Sequence, residues 1–155
     1  MPDAKNNLSV RGDVFGVGVP FVVAKRIQHS DFNSAARTLD FNAGDLGLHG
    51  DHMLLDCNIK VVTAFAGSGI TAATVSVSDV TTDDTWIATA NVAATGWTGT
   101  ALADKGVDLN DNKTYIVSSG ADLHVRLIVT DADANNLTAG DATIFVTLIY
   151  PGNTL

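Results

Sequence analysis

Glutamate is missing from this chain of 155 residues: all seventeen acidic side chains are aspartate. Glutamate suits helices, whereas the short carboxylate of aspartate bonds nearby backbone and favours turns and caps. This acid set therefore points away from helical architecture. Cysteine occurs once, at Cys57, which excludes an intrachain disulfide. Because it lies in an apolar run, it reads as a buried thiol rather than a nucleophile. Long apolar stretches are absent too, and none approaches the roughly eighteen residues of a membrane-spanning helix. The opening Met1-Pro-Asp-Ala-Lys-Asn-Asn lacks the apolar core of a secretory signal. The expectation is synthesis in a cytoplasm with no export by that route. Positive charge is scarce, with nine Lys and Arg and a net charge of −8. Nucleic-acid binding depends on cations that neutralise phosphate, so an acidic body opposes it.

What the chain has in quantity is Val, Thr, Ala and Gly in short alternating runs, the composition of strands joined by tight turns. Leu123, Val125, Leu127 and Val129 alternate with polar positions, as do Ile144, Val146 and Leu148. A side-chain period of two places each set on one face. The loop-like stretch 131–141 between them predicts that the two runs pair antiparallel as a hairpin. Earlier strands are expected over 21–27, 37–41, 53–65 (with Asp56, Asn58 and Lys60 on its wet face), 74–78, 86–92 and 113–118. A short helical turn is expected within 30–36. Loops are expected over 42–51, at 67–69, at 79–84, at the chain break 96–99 and at 108–112. About eight strands at this spacing predict an all-β antiparallel sandwich, and eight strands in two sheets make a jelly roll.

Charge divides the chain unevenly. Residues 1–37 carry five basic and three acidic groups, net +2, and residues 38–155 carry four and fourteen, net −10. Residues 1–19 read as an extended N-terminal arm ahead of a domain spanning 20–155. Asn6, Asn7, Gly12, Gly16 and Gly18 interrupt the arm. Leu8, Val10, Arg11, Val14, Phe15, Val17 and Val19 are its candidate partner-contact residues. Such a segment cannot form its own core but can lie along another surface. A frayed first strand of the domain is the competing reading.

Motifs of chemistry are few. Asp131-x-Asp133-x-Asn135 opens like a calcium loop, but Asn136 and Ala142 stand where an EF-hand needs Gly and Glu. His49 and His52 beside Asp45 and Asp51 lack the three or four converging ligands of a zinc site and read as surface histidines in a turn. No metal and no cofactor is expected. There is no Gly-x-Ser-x-Gly elbow, and the Ser, His and Asp residues show no triad spacing. Gly16-Val-Gly18 runs into Pro20 and a strand, not the helix of a dinucleotide site. Arg11-Gly-Asp13 spells an adhesion tripeptide at a length close to chance. Trp86 and Trp97 are residues able to stack on sugar rings, although tryptophan more often packs in cores or interfaces.

With a small strand-rich body, an arm-like head and no reactive grouping, the sequence resembles decoration or cement proteins of tailed-bacteriophage heads. The carriers are Thr74-Val-Ser-Val-Ser-Asp-Val-Thr-Thr-Asp-Asp-Thr-Trp86 and Thr138-Ala-Gly-Asp-Ala-Thr-Ile-Phe-Val-Thr-Leu-Ile-Tyr150, with the Thr/Ala/Gly-rich middle. The resemblance covers roughly the second half of the chain. It implies a non-enzymatic virion protein on the capsid exterior that binds the major capsid protein lattice as a homotrimer, without nucleic acid or membrane partners. The alternative is a carbohydrate- or receptor-binding β-sandwich module of a phage fibre or tail, with Trp86 or Trp97 exposed beside aspartates.

Overall fold

The structure, a computed structural model, describes residues 19–45, 52–79, 85–98, 116–117 and 122–149. Among the described residues nine strands run in chain order: β1 Pro20–Gln28, β2 Thr38–Asp45, β3 His52–Gly67, β4 Ala72–Asp79, β5 Thr85–Asn91, β6 Gly96–Thr98, β7 Ile116–Val117, β8 Asp122–Thr130 and β9 Leu137–Ile149. One sheet is ordered β1-β9-β3-β6, with β7 also on β3, and the other β2-β8-β4-β5. Every pairing is antiparallel. The nesting of β1 with β9, β2 with β8 and β4 with β5 is that of a long hairpin rolled over on itself. This is the jelly-roll sandwich that the strand count predicts.

The predicted closing hairpin does not form. β8 is flanked by β2 and β4, and β9 by β1 and β3, so the two runs belong to different sheets. The connection between them is what separates them. Asp131 takes a left-handed φ of 71°, and residues Ala134–Asn136 form a 3-10 turn. The N–H groups of Ala134 and Asn135 donate to the carbonyls of Ala36 and Ser34 at 2.8 and 2.7 Å. A connection tied to the β1–β2 loop crosses the ~10 Å between layers instead of doubling back. Its second half, from Leu137, is strand and not loop.

Two other boundaries differ from expectation. β2 continues past Asn42 to Asp45 because Gly44, at φ 93°, creates a bulge after which pairing resumes at Asp45 opposite Asp122. The break expected at 96–99 contains a short strand, in which Trp97 lies opposite Lys60. The helical turn expected within 30–36 is a 3-10 turn at His29–Phe32.

Alternation decides the core. Leu123, Val125, Leu127 and Val129 from β8 point inward, as do Ala142, Ile144, Val146 and Leu148 from β9, Cys57, Ile59 and Val61 from β3, and Val75 and Val77 from β4. One end is closed by Phe32, edge-on to Phe41 at 5.4 Å and Phe65 at 6.2 Å between centroids. Gly140 admits Phe65 there, since a Cβ at that position would lie 2.5 Å from the ring. Cys57 is buried, as its apolar surroundings predict.

Candidate functional site

Of the predicted contact residues, Leu8, Val10, Arg11, Val14, Phe15 and Val17 lie outside the described residues. Val19 is described and exposed, immediately ahead of β1. The candidate ion ligands that the structure describes do not converge. Asp131 accepts a hydrogen bond from the Thr71 hydroxyl and serves the sheet-to-sheet crossing. Among the described residues no three His, Cys or Asp side chains gather to hold a metal. His52 corrects the expectation of a surface histidine. It begins β3, is buried, and meets Phe21 edge-on at 5.4 Å. His49 lies outside the described residues.

The outer face of the β2-β8-β4-β5 sheet brings together a serine, a histidine and an aspartate that chain spacing did not reveal. Ser78 Oγ is 3.4 Å from His124 Nδ1, and His124 Nε2 is 3.7 Å from Asp40 Oδ1. Asp40 is held chiefly by Arg126, whose Nε and Nη2 donate to its two oxygens at 2.6 and 3.1 Å. Those hydrogen bonds keep the Asp40 carboxyl below its ordinary value, against partial burial pulling upward. Ser78 sits in a strand paired on both sides.

The opposite outer face, on the β1-β9-β3-β6 sheet, carries the exposed aromatic side chain. Trp97 is 65% exposed, whereas Trp86 is 0% exposed and part of the core, so the two tryptophans separate cleanly. Trp97 packs against Phe145 at 5.5 Å with a 44° tilt. The Lys60 ammonium stands over its ring, 5.2 Å from the centroid. Asn58 lies opposite Phe145 and Asp56 opposite Thr147, and the Asn58 amide donates to the Asp56 carboxylate. Arg26 and Asp141 form a two-pronged pair on the same face. Sequence reading placed Asp56, Asn58 and Lys60 on this wet face but did not connect them with Trp97. The signal for Phe145 was present in the alternation: it is an aromatic on the outward parity of β9, between Thr143 and Thr147.

The sequence matches no protein-family model and no curated protein sequence. In solved structures, the fold resembles a chain of the cyanophage Pam1 capsid asymmetric unit, with a TM-score of 0.51 and 17% identity over 85% of both chains. A chain of the acid-stable capsid of Helicobacter pylori bacteriophage KHP30 overlays with a TM-score of 0.39 and 14% identity, over 88% of this chain and 92% of the other. The second overlay is too loose to carry weight. The first shows a shared fold.

Proposed function

We propose that this protein is a structural component of a bacteriophage virion, a decoration protein that binds the major capsid protein lattice from outside as a homotrimer. The observation that carries the reading is the jelly-roll topology shared, over 85% of both chains, with a chain of the cyanophage Pam1 capsid asymmetric unit. Fold by itself does not give function, but the surfaces agree with a structural task. The serine–histidine–aspartate row lies on the outer face of a sheet, and the interior of the sandwich is packed with apolar side chains.

Residues 8–19 are the proposed contact segment. An apolar arm that orders on docking buries Val14, Phe15 and Val17 and offsets its ordering cost there. Each copy adds a modest contact, and a trimer touching several capsid subunits gains by multivalency. The acidic body, which dominates the net charge of −8, keeps free copies apart.

The test is antibody labelling of intact particles from cells that express the chain. Label on the particle surface, with a trimer by light scattering of the isolated protein, is the expected result. Label confined to the soluble fraction would remove the virion assignment.

A further inference from the structure

We propose that the Trp97 face of the β1-β9-β3-β6 sheet is a binding platform for a neutral pyranose oligosaccharide. The inference stands apart from the virion reading, because it rests on this face alone. The negative π-face of an indole attracts the weakly positive C–H groups on the flat side of a pyranose, as it attracts cations. Trp97 is 65% exposed. It does not hang free. Phe145 supports it at 5.5 Å, and the Lys60 ammonium stands over it, 5.2 Å from the centroid, so the ring is already positioned before a ligand arrives.

Polar groups that suit ring hydroxyls share the surface. Lys60 lies opposite both Trp97 and Thr143, and Asn58 lies one pleat further along β3, opposite Phe145. The Asn58 amide donates a hydrogen bond to the Asp56 carboxylate, so the two polar groups stand side by side on the strand near the aromatic pair. An aromatic platform with a few placed polar groups is the usual make-up of a small-molecule site.

One feature of the ring's surroundings favours a sugar over a protein partner. Protein hot-spot tryptophans sit in apolar surroundings that exclude water, whereas a charged ammonium stands over the Trp97 ring. The exposed valines of this sheet's strands are Val22, in the row of Thr147 and Asp56, and Val62, two residues past Lys60 on β3. Charge selects the ligand class. Arg26, Lys60, Asp56 and Asp141 balance on this face, and the whole chain at −8 repels acidic glycans.

The test titrates the intact protein with cellohexaose, maltohexaose, mannohexaose and chitohexaose at millimolar concentration, following the two indole N–H resonances by NMR. The buried Trp86 is the internal reference. The expected result is that one or more of these sugars moves the Trp97 resonance and leaves Trp86 in place, and that Trp97→Ala weakens binding at least about tenfold. Asn58→Ala weakens it as well, with an unchanged Trp86 resonance confirming the fold. The proposal is overturned if none of the four sugars moves Trp97, or if Trp97→Ala binds as the parent does. It is also overturned if the Trp97 resonance broadens with protein concentration alone, which would assign the face to a second copy.

Discussion

Trp86 carries an unusual burden for a core residue: its indole Nε1 is buried with no hydrogen-bond partner. A buried donor left unpaired costs about 1–3 kcal/mol. Trp86→Phe keeps a ring in the core and deletes the orphan donor. It is expected to cost clearly less than the about 3–5 kcal/mol of Trp86→Ala, as urea denaturation of the two variants will show. Gly67 is intolerant for a different reason. A Cβ there would run into the backbone carbonyl of Asn136 at the start of β9, and backbone cannot swing aside. Gly67→Ala is expected to destabilise by about 2 kcal/mol or more, seen as a drop in Tm of about 5 °C or more. The ion pairs make a pH prediction. Hydrogen bonds from Arg126 and Arg26 lower the pKa values of Asp40 and Asp141 from 3.8. The unfolded chain therefore takes up these protons first. Their contribution is complete above 3.8 and is lost as the pH falls through the lower folded values. Arg126→Met is expected to move the Asp40 titration upward in carboxyl NMR and to make the acid limb of the stability curve shallower. The effect at neutral pH is small because both partners are exposed.

At the scale of elements, β9 is the strand on which the sandwich depends. It lies between β1 and β3 over most of its length and sends Ala142, Ile144, Val146 and Leu148 into the core. Ile144→Ala is expected to cost about 2–5 kcal/mol, whereas Thr147→Ala on the outer face stays within about 0.5 kcal/mol. Equal changes in both, measured by thermal unfolding, would contradict the assigned faces. Alternation made these faces legible from residues alone, because a period of two is a local property of extended backbone. Partner choice was not legible. β8 and β9 carry the same pattern and are joined by residues rich in Asp and Asn, yet they lie in separate sheets. Bonds from the Ala134 and Asn135 N–H groups to the β1–β2 loop, about a hundred residues away in sequence, decide that outcome. Glycine at 44 was read as loop for a similar reason: a bulge and a turn present the same residue, and only a partner strand tells them apart.

For the whole molecule, removal of residues 1–19 tests the division into arm and domain. Because β1 begins at Pro20, the truncated protein is expected to retain its circular-dichroism spectrum and cooperative unfolding while failing to decorate particles. A truncated chain that still decorates would dispose of the arm's role. Loss of the fold would instead make the segment part of the domain. The two outer faces set a further contrast. One is a polar row built from Ser78, His124, Asp40 and Arg126, and the other holds Trp97, Phe145 and Lys60. Candidate chemistry on each arises from residues far apart in the chain, assembled by strand order.

Residue by residue, the sequence determined the secondary structure and the inward faces: aspartate in place of glutamate, β-branched alternation and evenly spaced turns leave little but an all-β sandwich. Only the tertiary structure decided which of two similar tryptophans is core and which is surface. Trp86 falls on the inner face of β5, while Trp97 lands outside on a three-residue strand opposite Lys60. Periodicity needs several residues to declare a face. A strand as short as Gly96–Thr98 has no period to read, so its direction comes from the neighbour it pairs with.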